Sequence, residues 1–441
     1  MAALAAGMVL MGLRGHAARP VSFARDIAPI LHAKCLTCHS TDKTKGGYQL
    51  HTFTALLKPG ASKEAAITPG KPEQSALYKL LVEKNADDRM PQNSDPLPAA
   101  DIKLIERWIR EGAKFDGPDP GLLLAALIEP KETPKAPAIY AQPLPITALA
   151  FSPDGAQLAV GGYYEVITRE AGTGKLIRRI GGAPQRVYAL AFNAEGSLLA
   201  VAGGAPGKLG EVKWFNPATG KLMRALPRWR DTALALAFSP DGKRLAVGAA
   251  DNTIRIFDTA SGRQQRVIEQ HSDWVMAVAF SHDGTRLASG SRDKSARVFD
   301  AQTGAMLEAY LEHTEPVLAL AFSADDQLIY TAGRDRRIKA WETATGKTTG
   351  EMKGFAADIL CLEAVDGRMF AAAGDNTVRE YAADKRDLKR EFPKVAGEIF
   401  SLDYSKAKDW IAAGTGNGRV KVWSAADGSR VAEFSALPVK R

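Results

Sequence analysis

Three cysteines in 441 residues are too few for a disulfide framework. Long apolar runs are also missing. Residues 2–13, "AALAAGMVLMGL", fall short of the ~20 apolar residues that span a bilayer, and no other segment is apolar for long enough. Charge of one sign is scarce: 58 basic and 50 acidic residues leave a net +8 spread along the chain. That gives a mild preference for acidic partners, with no run dense enough to argue for nucleic-acid binding. No Gly-x-Ser-x-Gly elbow occurs. The stretch "GGAPGKLG", residues 203–210, fails as a phosphate loop, because its spacing is one short and Leu209 stands where a Ser or Thr must ligate magnesium. A hairpin turn is expected there.

Two of the cysteines stand together in "HAKCLTCHST", which holds Cys35, Cys38 and His39. A redox dithiol wants a preceding strand within a βαβ pattern, but "SFARDIAPILHAK" places Phe23, Ile27, Ile30 and Leu31 at helical spacing. A structural zinc site wants four ligands, and the third cysteine, Cys361, lies far along the chain. Attachment of a c-type haem uses every residue: two thiols bond the porphyrin vinyls and the adjacent imidazole ligates iron. Methionine is the common second axial ligand in cytochromes c. Met90, in "ADDRMPQNSDPL", is the one methionine between residues 40 and 130. His51 in "YQLHTF" is its rival. An amphipathic helix follows, with Ile102, Ile105, Trp108 and Ile109 on one face.

Residues 22–117 resemble the planctomycete-type cytochrome c domain through "FARDIAPILHAKCLTCH", "KGGYQLHTFTALLKPG", "ITPGKPEQSALYKLL", "RMPQ" and "LPAADIKLIERWIREGA". The resemblance implies a small all-α domain with one covalent haem c, attached through Cys35 and Cys38. Its iron would lie between His39 and Met90, the methionine of the family's Met-Pro element. Gln92 stands where the family usually repeats the proline. The position of His51 is usually an aspartate, which argues against His51 as the family's ligand.

The rest of the chain is periodic. "ITALAFSPDG", "VYALAFNAEG", "ALALAFSPDG", "VMAVAFSHDG" and "VLALAFSADD" are followed by the weaker "ILCLEAVDG" and "IFSLDYSK". Their aligned residues, from Phe151 through Phe192, Phe238, Phe280, Phe322 and Ala364 to Tyr404, step by 41, 46, 42, 42, 42 and 40 positions. A period of ~40–45 residues with four strands per unit predicts a β-propeller, here with seven four-stranded blades. In the third unit, "ALALAF", "KRLAVGAA", "NTIRIFD" and "RQQRVIEQ" grade from apolar to polar, as strands running from the centre to the rim should. No helical pattern intervenes, which excludes a βαβ fold.

These units, over residues 144–436, resemble WD40 repeats. His271, Ser289, Asp293 and Phe299, and then His313, Thr331, Asp335 and Trp341, occupy that family's structural hydrogen-bonding positions. Blade stabilisation is the expected role of these histidines, rather than catalysis. Cys361, in "DILCLEA", is expected to act as a small hydrophobe.

The expected organisation is a signal peptide over 1–18, a cytochrome domain over 19–117, a Pro-rich connector over 118–143 and a propeller over 144–441. Within the connector, "GLLLAALI" is apolar enough to pack a short helix or strand on one domain. The leading apolar run reads as a signal core, with Gly15 and Ala17 suiting cleavage after Ala17 or Ala18. It lacks the usual basic leader, and an uncleaved anchor is the alternative; no stable membrane span is expected. The sequence therefore points to an exported electron carrier, periplasmic or otherwise outside the cytoplasm, whose propeller makes protein–protein contacts with redox partners, rather than to an enzyme. The alternative is a redox enzyme whose propeller catalyses and whose haem accepts the electrons. That alternative needs a cofactor or a cluster of ionisable groups in the propeller channel.

Overall fold

The structure, a computed structural model, describes residues 19–40, 45–92, 94–117, 120–121, 123–128 and 134–440. The expected signal segment lies outside them, as do Pro118 and Pro130 of the connector. The chain divides into two compact units, Met1–Glu129 and Pro130–Arg441.

The first unit is helical. A helical turn, Phe23–Ile27, leads into α1 (Ala28–Lys34); α2 (Phe53–Leu56), α3 (Ala76–Leu81), α4 (Ala99–Arg110) and α5 (Leu124–Leu127) follow. The Ser22 hydroxyl caps the first turn by accepting from the Arg25 amide. Phe23, Ile27 and Leu31 are fully buried, as their helical spacing predicts. Ile105, Trp108 and Ile109 of α4 face the same core. Phe23, Phe53, Trp108 and Phe115 interlock there with ring centroids 4.8–6.3 Å apart. The Trp108 indole N–H donates to the Lys114 carbonyl at 3.0 Å, so its one polar group is satisfied. The apolar connector run forms α5 and belongs to this unit: the Leu124 amide donates to the His51 carbonyl at 2.8 Å, and Thr52 bridges Leu123.

The second unit is a closed β-propeller, and its blade count corrects the expectation. Five discrete four-stranded blades form, the first over Ala233–Ile268 and the last over Ile399–Ser435. The first two repeat units do not separate into blades. They form one continuous seven-stranded sheet, because the strand Leu176–Phe192 runs unbroken from the rim of one unit to the centre of the next. It pairs with Tyr163–Glu170 through its first half and with Leu199–Ala205 through its second. Other units interrupt this passage with polar turns such as "EQHSD" and "LEHTEP"; here "RIGGAPQRV" offers none. The stretch 203–210 is the expected hairpin, joining Leu199–Ala205 to Leu209–Phe215.

Burial follows the graded pattern of the sequence. In the blade Ala233–Ile268, the second strand is buried almost throughout and the outermost is exposed at all but its last residue. The ring closes where the last blade meets the first sheet. The Ser401 hydroxyl donates to the Ile146 carbonyl at 2.6 Å, and the Phe151 amide donates to the Asp403 carboxylate at 2.6 Å. The strand Arg430–Ser435 completes the last blade, and Tyr140 pairs with Val439 in a single parallel bridge. The Tyr140 hydroxyl donates to buried Glu165 at 2.7 Å, and Arg179 clamps the same carboxylate while donating to the Pro137 and Ala138 carbonyls. No helix among the described residues is long and apolar enough to cross a membrane.

A fragment starting at Pro134 is expected to fold alone, giving a β-sheet circular dichroism spectrum and one cooperative thermal transition, because a closed ring buries its own core. Ending the same fragment at Gly428 removes the strand Arg430–Ser435 and the Tyr140–Val439 bridge, and the cooperative transition should be lost. A disordered 134–441 fragment would contradict an independent propeller.

Candidate functional site

Helix α1 delivers the cysteine pair. The Cys35 amide closes the helix on the Leu31 carbonyl, and the amides of Cys38 and His39 both donate back to the Cys35 carbonyl. This turn brings Cys35, Cys38 and His39 together at the end of one helix. All three cysteines of the chain carry free thiols. Burial, with a smaller contribution from Cys38, pushes the Cys35 thiol up to about 12, so it stays protonated at neutral pH.

His39 is oriented by the main chain. Its Nδ1 lies 3.0 Å from the Tyr48 carbonyl. A carbonyl only accepts, so Nδ1 carries the proton, and Nε2 keeps a lone pair for a metal. Gly46 and Gly47, with φ of 63° and 67°, turn the chain back so that it runs beside His39; the Leu50 amide then donates to the His39 carbonyl at 2.9 Å. Sequence reasoning missed Tyr48, because its contribution is a backbone oxygen with no residue-type signature. The paired glycines were the only available sign.

Met90 sits half-buried in the loop after α3, and its amide is tied to the Leu80 carbonyl at 2.9 Å. The amides of Asp88 and Arg89 donate to the Asn85 carbonyl and tighten the same loop. His51, the rival ligand, has a buried Nδ1 without a hydrogen-bond partner. Burial and then Lys58 hold its imidazole below the usual histidine range.

These residues fit a c-type haem. They supply two free thiols in one turn, an imidazole whose outer nitrogen is already pinned, and a thioether in an anchored loop. They fit a protein-only zinc site poorly: among the described residues, no group of three or more His, Cys, Asp or Glu side chains could hold a metal ion.

The propeller histidines are structural. His271 donates from Nδ1 to Asp293 at 2.9 Å, and its Nε2 meets the Ser289 hydroxyl at 2.7 Å. His313 repeats the pattern with Asp335 at 2.7 Å and Thr331 at 2.8 Å, and the Trp341 indole adds a bond to Thr331 at 3.2 Å. Phe299 has no indole to add; in its blade the Ser295 hydroxyl joins the network instead, donating to Asp293 at 2.6 Å. Burial alone would raise Asp293 and Asp335; hydrogen bonds and charge from their histidines outweigh it and hold both carboxyls below the usual range. Cys361 packs half-buried beside a core cluster, and burial pushes its thiol up to about 12, which suits a small hydrophobe.

The chain matches the Planctomycete cytochrome C family over residues 35–93, a range that starts at Cys35 and includes Met90. It matches the IFT122 first beta-propeller family over residues 232–432. No curated protein matches. Among solved structures, the computationally designed Ika8 protein is similar at 26% identity with a TM-score of 0.55, over 68% of this chain and 90% of that one. The chain thus joins a cytochrome c-like region to a β-propeller.

His313→Ala should destabilise the propeller by about 3–5 kcal/mol in denaturant titration, because it leaves the buried Asp335 carboxylate unpaired. The depressed Asp293 and Asp335 contribute stability that is present above about pH 4 and lost as pH falls through their lowered values. The pH dependence of the propeller's acid unfolding midpoint should therefore shrink in the His271→Ala, His313→Ala double variant.

Proposed function

We propose that the protein is an exported electron carrier that holds one haem c. Cys35 and Cys38 anchor the group by thioether bonds, and His39 and Met90 provide its axial ligands. One observation carries this reading: His39 donates from Nδ1 to the Tyr48 carbonyl beside two free thiols, which leaves Nε2 as the metal-facing nitrogen. When bound, the haem supplies one-electron redox chemistry. The chain's own contribution is to fix the imidazole tautomer, hold the anchoring thiols in one turn and keep Met90 in a tethered loop. A thioether favours reduced iron relative to a second imidazole. Export is supported by the apolar leader at residues 2–13 and by the extracytoplasmic chemistry of haem attachment. The propeller serves as the protein-interaction module for redox partners.

Denatured protein produced with haem-maturation machinery should retain haem covalently, and the Cys35→Ala, Cys38→Ala double variant should lose it. Haem extracted freely from denatured wild type into acidified organic solvent would refute covalent attachment.

Met90→Ala should abolish the sulfur-to-iron charge-transfer band of the oxidised protein and lower its reduction potential. Met90→His should lower the potential while keeping six-coordinate iron. His51→Ala should leave the band in place; a band that survives in Met90→Ala while His51→Ala alters coordination would reassign the distal ligand to His51.

A further inference from the structure

Four repeat units place an arginine at one register position of the rim strand. Arg178, Arg224, Arg266 and Arg390 sit opposite Thr168, Trp214, Ile256 and Glu380, each the last residue before a bulge in the adjoining strand. Three of these arginines reach forward to the next unit. Arg178 donates to the Ala218 carbonyl at 2.7 Å, Arg224 to Ala260 at 3.4 Å, and Arg390 to Ala425 at 2.7 Å and Ala426 at 2.9 Å. Each accepting carbonyl lies in the turn before the next rim strand, so these side chains staple neighbouring units at the periphery. Arg266 does not. Among the described residues, its guanidinium donates to the Gln265 carbonyl of its own strand, at 2.9 Å.

The joint beside Arg266 is held further in. Arg244, on the second strand of the same blade, donates to the Ala301 carbonyl at 2.9 Å and the Gly284 carbonyl at 2.8 Å. Its guanidinium also lies over the Phe280 ring, 5.3 Å from the centroid. With Arg244 bridging the blades, Arg266 is left exposed. An open groove of about 1030 Å³ runs along this junction, lined mostly by polar and charged side chains.

The walls carry both signs of charge, but the two are not equally available. Asp241, Asp258, Asp283 and Asp300 each accept from an amide of their own turn. Lys243 and Arg263 are exposed, and among the described residues their side chains make no hydrogen bond or ion pair. The rim strand Gln264–Ile268 is the outermost of its sheet, so one edge of its backbone is unpaired.

Taking the propeller as the protein-interaction module, we propose that this groove binds an extended acidic segment of a partner protein, laid along Gln264–Ile268 with its carboxylates on Lys243, Arg263 and Arg266. An extended chain can add backbone hydrogen bonds to the free strand edge. A guanidinium released from the neighbouring turn can grip a carboxylate at two points. The wall aspartates repel a dense polyanion such as nucleic acid, whereas carboxylates spaced along a peptide can avoid them.

The test uses the full-length, haem-loaded protein and a fluorescein-labelled peptide of four Glu-Val repeats, read by fluorescence anisotropy at low salt. Wild type should bind the peptide, and binding should weaken as salt rises. The Arg263→Glu, Arg266→Glu double variant should bind about tenfold more weakly. Neither side chain bonds to another blade, so the wild-type circular dichroism spectrum should be kept. If that variant does not fold, Lys243→Gln with Arg266→Gln takes its place. The Lys175→Glu, Lys347→Glu variant reverses the same charge on turns of other units and should bind as wild type does. Equal loss in this control, or tighter binding of a single-stranded oligothymidine than of the peptide, overturns the proposal. Peptide binding that the groove variant leaves unchanged overturns the groove but not the propeller as interaction module. Absence of binding to wild type overturns both for acidic partners.

Discussion

Closure of the ring is the constraint on which the second unit depends. Each blade has two apolar faces and can bury them only against its neighbours, so an open ring would leave a face and a strand edge in water. The closing contacts are accordingly polar and specific rather than merely apolar: Ser401 to Ile146, Asp403 to Phe151, and the parallel pairing of Tyr140 with Val439. The Tyr140–Glu165–Arg179 cluster extends the same fastening to the chain entering the propeller, because Arg179 holds the Pro137 and Ala138 carbonyls. The histidine networks serve a different purpose, holding single blades together from within.

The helical unit solves a smaller version of the same problem. It is too short to bury an extensive core, and four aromatic rings supply much of what it has. Salt bridges between Arg107 and Glu111 and between Arg110 and Glu106 lie on the solvent side of α4. Such exposed i,i+4 pairs are screened by water and contribute little to stability. The candidate haem-attachment turn lies at the end of α1, whose buried face is fixed by Phe23, Ile27 and Leu31, so packing and chemistry share one element.

Much of this was legible in the sequence. The strands of the third unit begin and end within a residue or two of the segments read from apolar grading, and Ile105, Trp108 and Ile109 point inward as their spacing requires. The Cys35–Cys38–His39 turn follows from its own spelling. The fused sheet was not legible, because a period counts repeats without showing where hydrogen bonding breaks between them. The broken passages are marked by polar turns containing His271 and His313, and the missing turn before Val187 became informative only beside them. The Tyr48 carbonyl was hidden for another reason: every residue has one, and only the fold decides which carbonyl meets the imidazole.

The unbroken strand Leu176–Phe192 has a mechanical consequence. Between discrete blades no strand pairing runs, and the polar contacts are made by side chains reaching a neighbour's backbone, as Tyr330 does to the Ala383 carbonyl and Asp326 to the His282 amide, so such a junction can open like a wedge without breaking any backbone ladder. Across the first two units the main chain itself is the joint, and any separation there must break strand pairing. That sector behaves as a single stiff plate, so breathing motions of the ring concentrate in the junctions among the five discrete blades and at the two borders of the plate.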